Sequence, residues 1–534
     1  MRIVAIVGAA AAVLTISLQA SGGRAATEQD GGTFRTSVTA VVSFGHIDPA
    51  LYGLEAGALR PACAALMSYP NKPLPAGLRL TPELATSYPR VSKDRKTYTF
   101  RIRSDARFSN GTPVTARDLV HSLERMFDPK VSSFSSAGLF EDVAGARQML
   151  AGKATRLAGA VAQGRTLRIR LSRALPDFLA RLSLLCAVPA TVPADPEGAK
   201  APLPSPAPYY VSGYVPGERF VLERNTFYRG ARPHRVDRIT ADLKGDASAV
   251  DDVASGKLDF VFPTPDLSPH LVPLVKRYGV NRSRVFVETS TIARMFLLNT
   301  SRPLFRNNVE LRRALNFAAD RSALAREFGP HAATATDQYL PSVMPGFRDE
   351  RIYPLRGPDL RRARALAKGH TRSGVAVLYT CSDRPDCIAL AQVLQRNLAL
   401  IGIEVRIKQF PLQVMFQKLS NPREPFDLAW IGFSPPWNDP QAFLGIFDGR
   451  TIGRPGNENW SYFNSPRYNR LLERASRLTG PARYRAYGDF DVQLARDAAP
   501  AIGVVNANTW AFVSARTGCV VMNPGLDLTA VCLK

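Results

Sequence analysis

GVAVLYTCSDRPDCIALAQVLQRNLALIGIEVRIKQF, residues 374–410, decides the fold class. GVAVLYT reads as a strand, IALAQVLQRNLALIG as a helix and IEVRIKQF as a second strand. Strand, helix and strand in succession make a βαβ unit, which places two strands parallel in one sheet. The same mixture continues on both sides. FDLAWIGF is a further strand, VFVETSTIARMFLLNTS is long and β-like, and AIGVVNANTWAFVS is β-like near the end. Between them Leu311, Leu315 and Ala318 share a helix face, and Asp320 starts a helix that Gly329 stops. Upstream, Tyr98, Phe100 and Ile102 alternate on one face, as do Leu167, Ile169 and Leu171. GERFVLERN reads as a strand, and Ser255-Gly256-Lys257 closes a short helix. Thr115 is placed to cap a helix with Asp118 as its reciprocal partner, and Asp128-Pro129 ends it. The class is α/β, without internal repeats, and the Pro/Ala-rich stretch PADPEGAKAPLPSPAPYY is a loop.

The 534 residues, 45% of them apolar, suffice for two or three domains. Met1-Arg2 followed by IVAIVGAAAAVLTISLQA and the small residues SGGRAA has the pattern of a secretory signal, with cleavage after Ala25 or Ala26. An uncleaved anchor is the alternative, but Gly8, Thr15, Ser17 and Gln19 interrupt the apolar run. Export gives the six cysteines a meaning. In an oxidising compartment an even count favours disulfides, and six cysteines allow 15 connectivities. Pairing the near neighbours Cys381 with Cys387 and Cys519 with Cys532 leaves Cys63 with Cys186; reduced, buried thiols are the alternative. The formal charge of +24 would attract anionic ligands, lipid headgroups or nucleic acid. It is spread along the chain, however, and its densest stretch, RGPDLRRARALAKGHTR, reads first as a solvated helix face.

Local catalytic signatures are absent. There is no GxSxG, SxxK, GxGxxG or phosphate-binding loop, and the six histidines are too far apart for a paired-His zinc helix. No Cys/His spacing suits zinc. Weight therefore shifts from chemistry to binding. One stretch stands out: WIGFSPPWNDPQAF, residues 430–443. A β-like run stops at Ser434-Pro435-Pro436, because consecutive prolines fix φ and remove two N–H donors. The strand gives way to a stiff loop that carries the indole of Trp437, the amide of Asn438 and the carboxylate of Asp439.

Six blocks in order carry a resemblance. They are YTFRIRSDARFSNGTPVTARDLVHSLER, PYYVSGYVPGERFVLERN, SGKLDFVF, FLLNTSRPLFRNNVELRRALNFAADRSAL, the helix–strand block ending IGIEV, and NWSYFNSPRYNRLLERAS. Together the chain resembles the bacterial extracytoplasmic solute-binding proteins of family 5, which serve peptide and nickel ABC transporters. The resemblance implies a two-lobe periplasmic-binding-protein clamp of the large peptide-binding class. Residues 1–26 would be the signal, 33–287 the first segment of lobe I, 288–498 lobe II and 499–534 the return of lobe I. The chain would cross between lobes near Val285–Asn299 and Pro500–Ala515. Hinge closure buries the ligand, as in the handling of solutes by periplasmic binding proteins generally. The implied protein is periplasmic and monomeric. It is neither an enzyme nor a nucleic-acid binder, uses no cofactor or metal, and has ABC permease subunits as partners. A DNA-binding regulator lacks room for its reading head before Thr33, and an exported hydrolase lacks its motifs.

The resemblance also implies site residues. Peptide-binding members grip the peptide's α-amino group with an acid in the loop after the lobe II strand, and alignment on Asp439-Pro440 puts Pro436 at that place. PPWNDP is closer to nickel-type members, which bind a metal chelate. Phe433, Ser434, Trp437, Asn438 and Asp439 are the expected lobe II contacts, with Trp437 as cleft wall or stacking face. The alternative for Asp439 is a helix N-cap before Pro440, and for Trp437 it is lobe packing. Ser43, Phe44 and His46 are expected on lobe I. Arg384 lies near where dipeptide-type members hold a carboxylate, a task that suits a guanidinium fork; the alternative is a surface arginine.

Overall fold

The computed structural model describes residues 28–534 apart from 40–45, 52–55, 129–137, 196–198, 200, 264–266, 436 and 454–456. The expected signal, Ser43, Phe44 and Pro436 lie outside the described residues.

Lobe I is built on strands β1 (Thr33–Thr39), β2 (Tyr209–Val215), β3 (Arg219–Arg224), β4 (Arg238–Gly245) and β5 (Phe260–Val261), in the order β5-β1-β4-β3-β2. Phe34, Phe220, Leu222 and Ile239 point into one core, where Val513, Leu528 and Val531 from the C-terminal segment join them. That return makes the first lobe discontinuous. A second core belongs to the same lobe. There a four-stranded sheet from residues 90–170 packs against helix α1 (Ala116–Phe127). Strand Thr166–Arg170 buries every second residue, so Leu167 and Ile169 face the core and the arginines face water. The helix starts where Thr115 and Asp118 form the expected capping box, and it buries Leu119, Leu123 and Met126.

Lobe II holds strands β6 (Val285–Leu298), β7 (Ala333–Ala335), β8 (Val375–Cys381), β9 (Glu404–Phe410), β10 (Leu428–Phe433) and β11 (Ala501–Phe512), in the order β7-β11-β6-β10-β8-β9. β8 runs parallel to β9 and to β10, with helix α2 (Pro385–Ala399) between β8 and β9, so the βαβ unit of residues 374–410 is present. The helix begins at Pro385, ahead of the first residue assigned to it from sequence. Proline is favoured there because the first turn needs no N–H partner.

β6 and β11 are the two long strands, and they pair antiparallel from Val285↔Phe512 to Leu297↔Ala501. Val285, Trp510 and Phe512 belong to a lobe I core. Phe296, Leu298, Ile502 and Val504 belong to a lobe II core. The strands therefore carry the chain from one lobe to the other, and their register breaks between Thr289 and Ala293, midway between the two cores.

The disulfides are Cys63–Cys186, Cys381–Cys387 and Cys519–Cys532. Among the described residues no helix is long and apolar enough to cross a membrane.

Candidate functional site

Strand β10 ends at Phe433, and helix α3 (Pro440–Leu444) begins after the stiff loop. Asp439 caps that helix. Its Oδ1 accepts from the Gln441 N–H at 2.8 Å. Both of its oxygens also accept from Arg483, Nη1 to Oδ2 at 2.8 Å and Nη2 to Oδ1 at 2.7 Å. Arg483 comes from helix α4 (Gly480–Gln493), and both side chains are buried. Burial alone would lower the Arg483 pKa; the facing carboxylate outweighs it, and the net shift is upward. Asp439, a candidate ligand contact from sequence, is thus committed within lobe II. A short polar side chain before Pro440 is better used to close a helix start and hold a buried cation than to face solvent.

The neighbouring residues reach across to lobe I. The Asn438 carbonyl accepts from the Tyr69 hydroxyl at 2.8 Å, and Tyr69 is buried. The guanidinium of Arg181 lies 4.5 Å from the centre of the Trp437 ring. Arg181 is aimed by Asp177, whose Oδ2 accepts from its Nε at 3.1 Å. Trp437 is half-buried, and among the described residues its Nε1 is sealed without a hydrogen-bond partner. Phe433 sits edge-on to Phe443, with centroids 6.0 Å apart.

Between the lobes lies a cavity of about 1550 Å³. Its lobe II wall includes Phe433, Ser434, Pro435 and Trp437, and its lobe I wall includes Leu139, Arg173, Asp177 and Arg181. Of the residues expected on the lobe II side, Phe433, Ser434 and Trp437 line this cavity, whereas Asn438 and Asp439 are not among its wall residues.

Arg384 stands at the N-cap of α2, outside that wall, and grips Asp386 with Nε to Oδ1 at 3.1 Å and Nη2 to Oδ2 at 2.7 Å. The Cys381–Cys387 bridge closes this turn. His46 is half-buried, and its Nδ1 has no hydrogen-bond partner among the described residues. A metal finds little here. Among the described residues the one group of three ligating side chains is Glu28 with Cys519 and Cys532, and those two sulfurs are bonded to each other.

Sequence reasoning missed Tyr69, Arg181 and Arg483. Each comes from a distant segment, and no local spacing links any of them to residues 433–439. It missed Arg294 too, which sits inside the apolar run of β6.

The model of the bacterial extracellular solute-binding proteins, family 5, matches residues 79–454. The chain belongs to this family. It is a solute-binding protein with the family's clamp architecture. It is 25% identical over 438 residues to the periplasmic oligopeptide-binding protein OppA of Salmonella typhimurium, covering 78% of each chain. It is 24% identical over 480 residues to the heme-binding protein A of Haemophilus influenzae, covering 83% of this chain and 82% of that one. Among solved structures, the clavulanic acid biosynthesis oligopeptide binding protein 2 superposes with a TM-score of 0.80 at 24% identity, over 95% of this chain and 96% of that one. The Haemophilus parasuis protein HbpA2 gives 0.77 at 18% identity, over 94% of this chain and all of the other.

Proposed function

We propose that the protein is the periplasmic receptor of an ABC importer. It captures a peptide, a peptide-like compound or a small metal chelate between its lobes and hands it to permease subunits in the inner membrane. It acts as a monomer, performs no chemistry and binds no nucleic acid. In the mature protein residues 1–26 are gone, and the expected bounds, 33–287 with 499–534 for lobe I and 288–498 for lobe II, shift at the second crossing, because Ile502 and Val504 pack in the lobe II core and Trp510 and Phe512 in a lobe I core. Family membership and relatives named for peptides and heme support this reading. The observation that carries it is the cavity of about 1550 Å³, walled on one side by the loop from Phe433 to Trp437 and on the other by lobe I. Such a volume exceeds the ~300–1,000 Å³ of common small-molecule pockets and leaves room for a ligand of several residues' bulk.

The loop selects among such ligands. Its prolines make it stiff, so binding costs little ordering entropy. Trp437 gives a flat face and Asn438 a donor and an acceptor. Within residues 433–439 no acid is free to grip an amine: Pro436 stands where the family's acid would, and Asp439 is held by Arg483. Unmodified peptides with a free α-amine therefore bind weakly. Leu139, Arg173, Asp177 and Arg181 form the lobe I face of the cavity, and the sequence adds Ser43, Phe44 and His46 as lobe I contacts.

Native mass spectrometry on protein purified from the periplasm tests this reading. One small molecule retained at 1:1 is expected, and protein that is always empty would count against it. Small-angle scattering adds the second arm: the radius of gyration should fall when that molecule is added back, and an unchanged envelope would exclude clamp closure.

A further inference from the structure

We propose that Glu458 is a specificity-determining residue of the interlobe cavity and takes an alkylammonium or guanidinium group of the solute. The inference rests on the receptor reading above and names a charge that its ligand carries.

Six carboxylates line the cavity: Glu141, Asp142, Asp177, Asp448, Glu458 and Glu473. Five of them have arginine partners. Arg147 lies by Glu141, Arg173 grips both oxygens of Asp142, and Arg181 pairs with Asp177. Arg450 forks onto Asp448 and also reaches Glu473, which Arg477 holds as well. Arg95, the remaining arginine of the wall, is engaged differently. Its guanidinium donates to the backbone carbonyls of Ser476, Arg477 and Leu478, at the end of the helix Pro466–Arg477. Glu458 is the exception. Among the described residues its carboxylate has no ion pair and no hydrogen bond. The cavity wall therefore keeps one acid, and no arginine, without a partner. Its uncommitted charge is negative, although the whole chain carries a formal +24.

The backbone on both sides of Glu458 is pinned. Asn457 Oδ1 accepts from the Asn459 N–H at 3.0 Å and from the Thr451 hydroxyl at 3.3 Å. Asn459 is fully buried, and its Nδ2 donates to the Phe463 carbonyl at 2.9 Å. Next to it Trp460 stacks on Phe416, with centroids 5.1 Å apart. The Glu458 side chain is exposed, but it lines the cavity, where the surrounding protein withdraws enough water to raise its pKa. An ionised acid in such a place is costly without a partner, and a ligand cation offsets that cost through a charge-assisted hydrogen bond. A second unmet group lies beside it in the chain. Asn457 is 8% exposed and lines the cavity, and among the described residues its Nδ2 has no hydrogen-bond partner. The pair thus offers an acceptor for a cation and a donor for a neighbouring carbonyl. The place of the α-amine in the 433–439 loop stays without an acid, so the group assigned to Glu458 is a side-chain cation.

The test uses a library of N-acetylated dipeptides that carry lysine or, in matched members, Nε-acetyl-lysine, read by native mass spectrometry. Wild type should retain the lysine members over their neutral counterparts by roughly tenfold or more. Glu458→Gln should erase that preference, with a melting point near that of wild type. Equal retention of the two sets by wild type, or a preference that survives Glu458→Gln, would overturn the inference and leave the receptor reading standing. A second arm reads the carboxylate without a peptide. The carboxyl carbon NMR signals of isotope-labelled glutamate are followed as n-butylammonium or n-butanol is added. One signal, missing from Glu458→Gln, should shift saturably with the cation and stay still with the alcohol. If that signal does not respond to the cation, the inference falls. If it responds while no library member is retained, the inference stands and the peptide-like reading of the ligand fails.

Discussion

Arg483 and Arg294 are both lobe II arginines with little exposure, 7% and 16% of their side chains. Their surroundings differ. Arg483 faces a carboxylate that it holds with two short hydrogen bonds, and that carboxylate also caps a helix. Arg294 faces a carboxylate already taken, at a longer distance. A buried ion pair with full hydrogen bonding is self-sufficient, whereas a buried cation left with Coulomb attraction alone is not. The first arrangement fixes the base of the 433–439 loop. The second leaves the cation with an ion pair at 4.0 Å and the face of the Phe328 ring. Burial by itself does not tell a fully paired arginine from a poorly paired one; the hydrogen-bond account does.

The comparison breaks most visibly at Asp439. Asp439→Ala leaves Arg483 buried and unpaired and removes a cap, so stability should fall by about 3–5 kcal/mol in chemical denaturation. Arg483→Met on that background should recover most of the loss. If the single variant costs nothing, the pair is not what anchors the loop. At Arg294 the expected sign differs. Ligand-free Arg294→Met should change stability by less than about 1 kcal/mol or raise it, since replacing a poorly compensated buried charge by an apolar side chain is often neutral or favourable. A loss as large as that of Asp439→Ala would erase the distinction. Smallest is Tyr69→Phe, which removes the hydrogen bond to the Asn438 carbonyl between the lobes. About 0.5–1.5 kcal/mol of contact energy should go, seen in scattering as a larger radius of gyration at sub-saturating ligand.

Much of the frame was legible because it is written locally. The Thr115–Asp118 capping box, the alternation of Leu167 and Ile169, and the strand–helix–strand run of residues 374–410 are short-range patterns, and each has a short-range cause. The loop after β10 was legible too, since adjacent prolines stop a strand wherever they occur. Asp439 was ambiguous. The same Asp-Pro pair serves as a cap or as an offered acid, and the choice depends on Arg483, 44 residues further on. Arg294 was invisible for another reason. In TIARMFLL it looks like a lapse in an apolar strand, and only the pairing with Gly432 and the turn holding Arg384 give it surroundings. Tyr69 and Arg181 come from lobe I segments with no motif of their own, so their contacts with residues 437–438 depend on how the lobes meet.

Calorimetric titration of the co-purified solute into wild type and Trp437→Ala tests most directly whether the 433–439 loop is a binding wall. The indole should contribute roughly 1–3 kcal/mol, the range for a buried aromatic contact, so the variant should bind about 5- to 150-fold more weakly while its melting point stays near that of wild type. Equal affinity in the two proteins would take the loop out of the site and contradict the account.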